Sequence, residues 1–226
     1  MMSVPAEPNT DEITPAFYVH DRLYFPEILN GLNLLGEGVE VGTFQGAFSA
    51  WILERWKGKK LYSIDPWKSF PKDEYIDMVN FPDEEFEKYY QDAVSILKKY
   101  GDRSAIIRKT SEEAAPLFAD ASLDFVYLDA QHHYEAIQQD IARWWPKIKP
   151  LGILSGHDYI PDGDYPFGRF GVKRAVNEFV RANNLQLILS QERTLDQFLA
   201  DEPASQHLSE SDPAPAPSWF IIKPQA

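Results

Sequence analysis

Apolar positions follow two periods that take turns along the chain. Short apolar or alternating runs rich in Val, Ile, Leu, Tyr and Phe predict strands at 38–42, 60–64, 104–107, 123–128, around Ile153 and Leu154, at 185–189 and at 219–222. Between them a three-to-four spacing predicts helices at 47–56, 83–100, 136–148 and 172–182. Phe48, Trp51, Ile52 and Leu53 form the apolar face of the first of these, and Gly101 closes the second as a C-cap. The run Thr110-Ser111-Glu112-Glu113 has the capping-box pattern and opens a short helix to about Phe118. Residues 16–35, with Phe17, Tyr24 and Phe25 as aromatic anchors, predict a docking helix and a connector.

Strands alternating with helices predict an α/β fold, a mostly parallel sheet with helices on both faces. Ligands of such sheets bind at the carboxyl ends of the strands. Residues 1–16 are polar and Pro-rich and are expected to be mobile, leaving 17–226 as a single domain. Two segments interrupt the alternation. The aromatic stretch 66–82 starts at a strand's carboxyl end, so it is either a surface excursion or a lid over the site. The Pro/Ala/Ser-rich acidic stretch 201–217 reads as a flexible loop without chemistry.

Composition narrows the function classes. The 226 residues carry a net charge of −13, which disfavours nucleic acid and anionic membrane surfaces as partners. Absence of cysteine excludes disulfides, thiolate metal sites and thiol nucleophiles. No run approaches the length of a membrane helix, and the first residues lack the basic and apolar regions of a signal peptide. A cytoplasmic protein is the expectation, and the N-terminal aromatic segment leaves a homo-oligomer open.

Four strand ends carry candidate chemistry. Gly42 and Gly46 bracket a strand-to-helix turn, where glycine lets backbone approach a ligand and the helix start offers free N–H groups. Their spacing is not the G-x-G-x-x-G of dinucleotide sites. Asp65, just past the second strand, stands where a carboxylate accepts both hydroxyls of a ribose diol, or else caps the turn before Pro66. Asp129 follows the strand LDFVYL, and His157-Asp158 follows the next. If these strands are neighbours, Asp129, His157 and Asp158 converge and offer a site for a hard divalent cation such as Mg²⁺. Capping of turns is the plainer reading. His132 or His133 would titrate in the range of a general base.

Together these segments resemble the class I S-adenosylmethionine-dependent methyltransferases, closest to the small-molecule branch called methyltransferase family 24. That branch is similar to macrolide and sugar O-methyltransferases and more distantly to catechol O-methyltransferase. The resemblance covers about residues 36–190 and rests on VEVGTFQGAFS, LYSIDPW, FVYLDAQHHYEAIQQDIARWWPKIKPLGIL, SGHDY and GVKRAVNEF. Ala130, Gln131 and His133 depart from the family's Asp-Gly-Asp-His-Ser-Tyr-Glu wording, and Leu151 stands where it has the first Gly of Pro-Gly-Gly.

The resemblance implies a seven-stranded Rossmann-like sheet whose last strand, 219–222, runs antiparallel beside 185–189. It implies S-adenosylmethionine as cofactor and methyl transfer to a small-molecule acceptor, through a hydroxyl and with a divalent cation. Glu40, Gly42, Thr43 and Gly46 would hold the cofactor's methionine part, Asp65 its ribose, and Ser111 its adenine. Trp67 would flank the adenine or the lid. Asp129 would lie at the methionine end and join His157 and Asp158 as a metal ligand, and His132 would be the base. A nucleotide-binding oxidoreductase and a non-catalytic scaffold are the competing expectations.

Overall fold

The computed structural model describes residues 13–71, 77, 79–165, 168–191 and 216–225. An edge strand β1 (Phe17–Val19) leads through a 3-10 turn (Arg22–Tyr24) to the short helix α1 (Phe25–Gly31). Then follow β2 (Glu37–Val41), α2 (Ala47–Arg55), β3 (Lys60–Ile64), α3 (Asp83–Leu97), β4 (Ser104–Ile107) and α4 (Ser111–Ala114). The second half holds β5 (Leu123–Leu128), α5 (Tyr134–Trp144), β6 (Ile148–Gly156) and a hairpin of β7 (Gly163–Tyr165) and β8 (Gly168–Phe170). It ends with α6 (Val172–Ala182), β9 (Ile188–Ser190) and β10 (Trp219–Ile222).

The main sheet has the order β1-β9-β10-β6-β5-β2-β3-β4. Its central pairs β2–β3, β2–β5, β3–β4 and β5–β6 are parallel, while β10 is antiparallel to both neighbours, as expected. The seven expected strands are therefore present, and β1 adds an eighth by pairing parallel with β9. This corrects the helix expected from residue 16. Phe17 and Tyr18 are exposed on an edge rather than anchored in a core, so the aromatic spacing there carried no helical stripe.

Burial explains the layers. All six residues of β5 are buried, as in a strand covered on both faces. Its alternation sends Val126 and Leu128 toward α4, α5 and α6, with Ile137, Ile141, Trp144 and Val176. Phe125 and Tyr127 face α1 and α2, with Phe25, Leu29, Trp51 and Ile52. Ile148, expected at the end of a helix, instead begins β6, because Pro146 closes α5 through one 3-10 turn. Helix α3 ends at Leu97 and passes into a 3-10 turn in which Gly101 takes φ 56°.

The chain runs outward from β2 to β4 and then returns to place β5 on β2's other side. Connections therefore diverge between β2 and β5, and their carboxyl ends form the crevice that binds ligands in such sheets. Residues 1–12 and most of the 201–217 stretch lie outside the described residues, as do 72–76 and 78 of the 66–82 stretch.

Candidate functional site

At the crevice β2 ends in Gly42 at φ 93°, and a Cβ there would sit 1.9 Å from the Asp129 carbonyl oxygen. Only glycine permits this approach. The Asp129 N–H donates to the Val41 carbonyl at 2.7 Å, which fixes the ends of β2 and β5 side by side. A cavity of about 880 Å³ opens above them, within the range of small-molecule and cofactor sites. Glu40, Gly42, Thr43, Asp65, Ser111 and Asp129 all line it.

Two of the expected cofactor residues do not. Gly46 is the left-handed N-cap of α2, and a Cβ there would meet Ala93 Cα at 3.1 Å, so this glycine serves the packing of α2 on α3. Trp67 is 1% exposed, stacks edge-on against Tyr90 and donates from Nε1 to the Phe44 carbonyl at 2.7 Å. It braces the turn from beneath and does not flank the cavity.

Asp65 organises that turn. Its Oδ2 accepts from the Phe44 N–H at 2.9 Å and its Oδ1 from the Trp67 N–H at 2.7 Å. Phe44 and Trp67 both have positive φ, 49° and 42°, a conformation costly for side-chain-bearing residues. Burial pushes the Asp65 carboxyl up to about 6, against the pull of these N–H donors. Each carboxylate oxygen has a second lone pair, so capping the turn and accepting a diol are compatible.

Glu40 is 1% exposed and is held by the Ser49 hydroxyl, which also contacts Ser63 Oγ at 2.5 Å. Burial raises its carboxyl to about 8, with the Asp129 charge adding to the rise. Glu40 therefore holds its proton more tightly than a free carboxyl and lines the cavity as a hydrogen-bonding group.

At the ends of β5 and β6 lies a cluster of acids and imidazoles. His132 Nδ1 is 2.8 Å from Asp77 Oδ2, and its Nε2 is 3.0 Å from Asp158 Oδ2 and 4.0 Å from Asp129 Oδ1. Its ring stacks flat on Phe170 at 5.0 Å. Burial opposes a charge on His132, yet Asp158 and Asp77 carry its pKa well above the ordinary value. Burial also works against a charged Asp158, but His157 and His132 hold it well below the carboxylate range. Asp129 is pushed up by burial, against the pull of His157.

His157 Nδ1 lies 3.2 Å from Asp158 Oδ1 and 3.9 Å from Asp129 Oδ1. The three residues expected to converge do so. Among the described residues, one set of potential ligand atoms lies within 4.8 Å of one another, and it contains His132 in place of His157: Asp129, His132 and Asp158. Two carboxylates and an imidazole suit a hard or borderline divalent cation, so the residues fit one. His133, the alternative base, occupies the N-cap of α5 and is not part of the cavity wall.

Arg22, Asp77 and Asp140 are among the charged lining residues that the sequence reading does not single out. Arg22 comes from the 3-10 turn after β1, lies over the Phe48 ring at 5.2 Å and stands 3.5 Å from Asp129. Asp77 comes from the 66–82 stretch and Asp140 from α5. Capping-box spacing had located Ser111 at α4, but nothing marked Asp140, which accepts from the Ser111 hydroxyl at 2.5 Å.

A mostly parallel sheet with antiparallel β10 inserted between β9 and β6, and a cavity at its switch point, matches the class I methyltransferase fold. A family model described as a methyltransferase domain, of the family 24 type, matches residues 39–159, and the chain belongs to this methyltransferase family. Membership sets aside the expectation of a nucleotide-binding oxidoreductase. An uncharacterized protein of Sinorhizobium fredii, y4gI, is 26% identical over 124 residues, which are 53% of this chain but only 13% of that protein.

Among solved structures, an O-methyltransferase from Bacillus cereus in complex with SAH aligns with a TM-score of 0.57 at 12% identity, covering 95% of this chain and 84% of that one. The O-methyltransferase TomG from Streptomyces achromogenes, in complex with SAM, gives 0.56 at 13% identity over 89% of this chain and 79% of its own. A Burkholderia thailandensis 1,6-didemethyltoxoflavin-N1-methyltransferase gives 0.52 at 14% identity, covering 88% and 76%. At these identities the likeness is one of fold.

Proposed function

We propose that the chain transfers a methyl group from S-adenosylmethionine to a hydroxyl of a small-molecule acceptor, assisted by a divalent cation. The observation that carries this is the shared cavity rim of Gly42, Asp65 and Asp129, at the ends of β2, β3 and β5. Family membership and the SAM- or SAH-bound neighbours of like fold support it.

The residues present fit such a cofactor. Asp65 offers carboxylate oxygens to a ribose diol. Arg22 and Asp129 offer opposite charges where an amino-acid tail carries both. The bound cofactor supplies an electrophilic methyl on a sulfonium. What the protein adds is position: an acceptor oxygen must be held in line at about 3–3.5 Å. Asp129, Asp158 and the neighbouring His157 would hold the cation, which lowers the pKa of a coordinated hydroxyl.

The base expectation for His132 is revised. Both imidazole nitrogens lie on carboxylates, Nδ1 on Asp77 and Nε2 on Asp158, so neither is turned to an acceptor hydroxyl. We assign His132 to fixing Asp158 and the covering segment. A loss below about tenfold in His132→Gln agrees with this, whereas a loss of roughly 10²–10⁴ restores it as the base.

The acceptor is expected to bind against Phe70, Val79, Ile160 and Phe170, the apolar residues of the cavity lining that the 66–82 and 159–171 stretches supply. Closure of the 66–82 stretch over it, single-domain organisation of 17–226, cytoplasmic location and self-association complete the proposal. Among the described residues, no helix is long and apolar enough to cross a membrane. Thermal-shift assays with S-adenosylmethionine, S-adenosylhomocysteine and buffer test the reading. Stabilisation by both ligands supports it, and no shift with either favours a scaffold.

A further inference from the structure

The two edges of the main sheet are guarded differently. Among the described residues, β1 ends the strand order on one side and pairs with β9 alone, while β4 ends it on the other and pairs with β3 alone. A sheet edge offers unpaired N–H and C=O groups to any passing strand, and charged side chains commonly blunt it. Such charges flank β4, with Arg103 before it and Arg108 and Lys109 after it. A second copy laid antiparallel on β4 would set Arg103 against Arg108.

No charge guards β1. Residues 13–20 contain no Asp, Glu, Lys or Arg, in a chain of net charge −13. Phe17 and Tyr18 are 52% and 56% exposed. Of the seven large apolar side chains exposed among the described residues, four are Phe17, Tyr18, Tyr24 and Leu32, so exposed apolar surface is concentrated in β1 and the turn and helix that follow it. Strand alternation puts Phe17 beside Ile188 on the α1 side and Tyr18 beside Leu189 on the α5 and α6 side. Each continues a core layer to the sheet's rim.

The occupant whose charge pattern suits this edge is its own copy. An antiparallel pair about a two-fold axis at Tyr18 sets Tyr18 on Tyr18, Phe17 on Val19 and Ala16 on His20, so no like charges meet. Aromatic and aromatic–β-branched pairs are favourable across strands. We propose that β1 is a self-association edge, which pairs antiparallel with β1 of a second copy and joins the two eight-stranded sheets into one. The ladder is short and its buried area small, so the dimer is a weak one, dissociating in the range of about 1–100 μM. No β1 residue lines the cavity, so self-pairing holds or fails independently of methyl transfer.

Sedimentation velocity on the full chain over about 3–300 μM tests the pairing. The wild type is expected to pass from monomer to dimer across that range. Tyr18 lies on the axis, so Tyr18→Lys and Tyr18→Glu are each expected to weaken association at least about tenfold, and their equimolar mixture to recover it. The chain has no cysteine, so Tyr18→Cys supplies one thiol per copy. Directly opposed residues lie about 4.5–5.5 Å apart at Cα, within reach of a disulfide, whereas Phe17 faces its own copy across a diagonal of about 7–8 Å, beyond it. In a glutathione redox buffer, Tyr18→Cys is expected to give a linked dimer and the similarly exposed Phe17→Cys to stay mostly unlinked.

A wild type that stays monomeric at about 300 μM overturns the proposal. So does a dimer that forms undiminished from Tyr18→Lys, which buries another surface. A charge mixture that fails to recover association, or equal linkage through both cysteines, rules out the two-fold pair at Tyr18 in the same way.

Discussion

Single residues at the strand ends carry backbone strain that the site uses. Phe44 and Asp158, which line the cavity, and Trp67 behind it all take positive φ, and Asp65 holds Phe44 and Trp67 through their N–H groups. Leu151 has the same strain without the use: φ is 65°, and its side chain is exposed where the family's wording has glycine. Leu151→Gly is expected to raise stability by about 1 kcal/mol, seen as a melting temperature higher by about 2–4 °C. Glu40 gives a pH dependence with a definite sign. Its folded pKa of about 8 exceeds the ordinary value of 4.5, so the folded state holds the proton more tightly. The associated stability is present below about pH 4.5 and is lost as pH rises through 8. Melting curves of Glu40→Gln are expected to fall less steeply over that window than those of the wild type. Parallel curves would show that Glu40 is charged in the fold.

Elements differ in how plainly the sequence announces them. The strands of the central sheet were legible because each is a buried apolar run bounded by polar residues, and α5 and α6 because their inner residues recur at helical spacing. Strands β1, β7 and β8 have three residues each, too few for any period to emerge, and they are placed by partners distant in sequence. The same holds for the site. Gly42, Asp65, Asp129 and Asp158 sit at the ends of readable strands. Arg22 and Asp77 arrive on connections whose positions only the folded chain fixes. Asp77 forms an isolated antiparallel bridge with Gly168 and reaches His132, so the 66–82 stretch, the β7–β8 hairpin and the strand-end cluster meet there. Asp77→Ala is expected to lower kcat/KM roughly tenfold or more through misplaced roof and imidazole, with a small change in melting temperature. Unaltered kcat/KM would remove Asp77 from the site.

At the scale of the whole molecule, the topology does most of the chemical work. Because β5 returns beside β2, acids far apart in the chain share one rim, and β6 brings Asp158 against Asp129 and His132. Asp129→Asn is expected to leave the fold intact and abolish turnover, as judged by circular dichroism and methyl transfer. EDTA is expected to suppress wild-type activity, with Mg²⁺ restoring it; full activity in EDTA would remove the cation from the account. The most direct measurement is a crystal structure grown with S-adenosylhomocysteine. The account predicts its ribose hydroxyls on Asp65, its amino-acid tail between Arg22 and Asp129, and its sulfur facing the Asp129–Asp158 cluster. A ligand bound elsewhere, or density that keeps clear of Asp65 and Asp129, would contradict it.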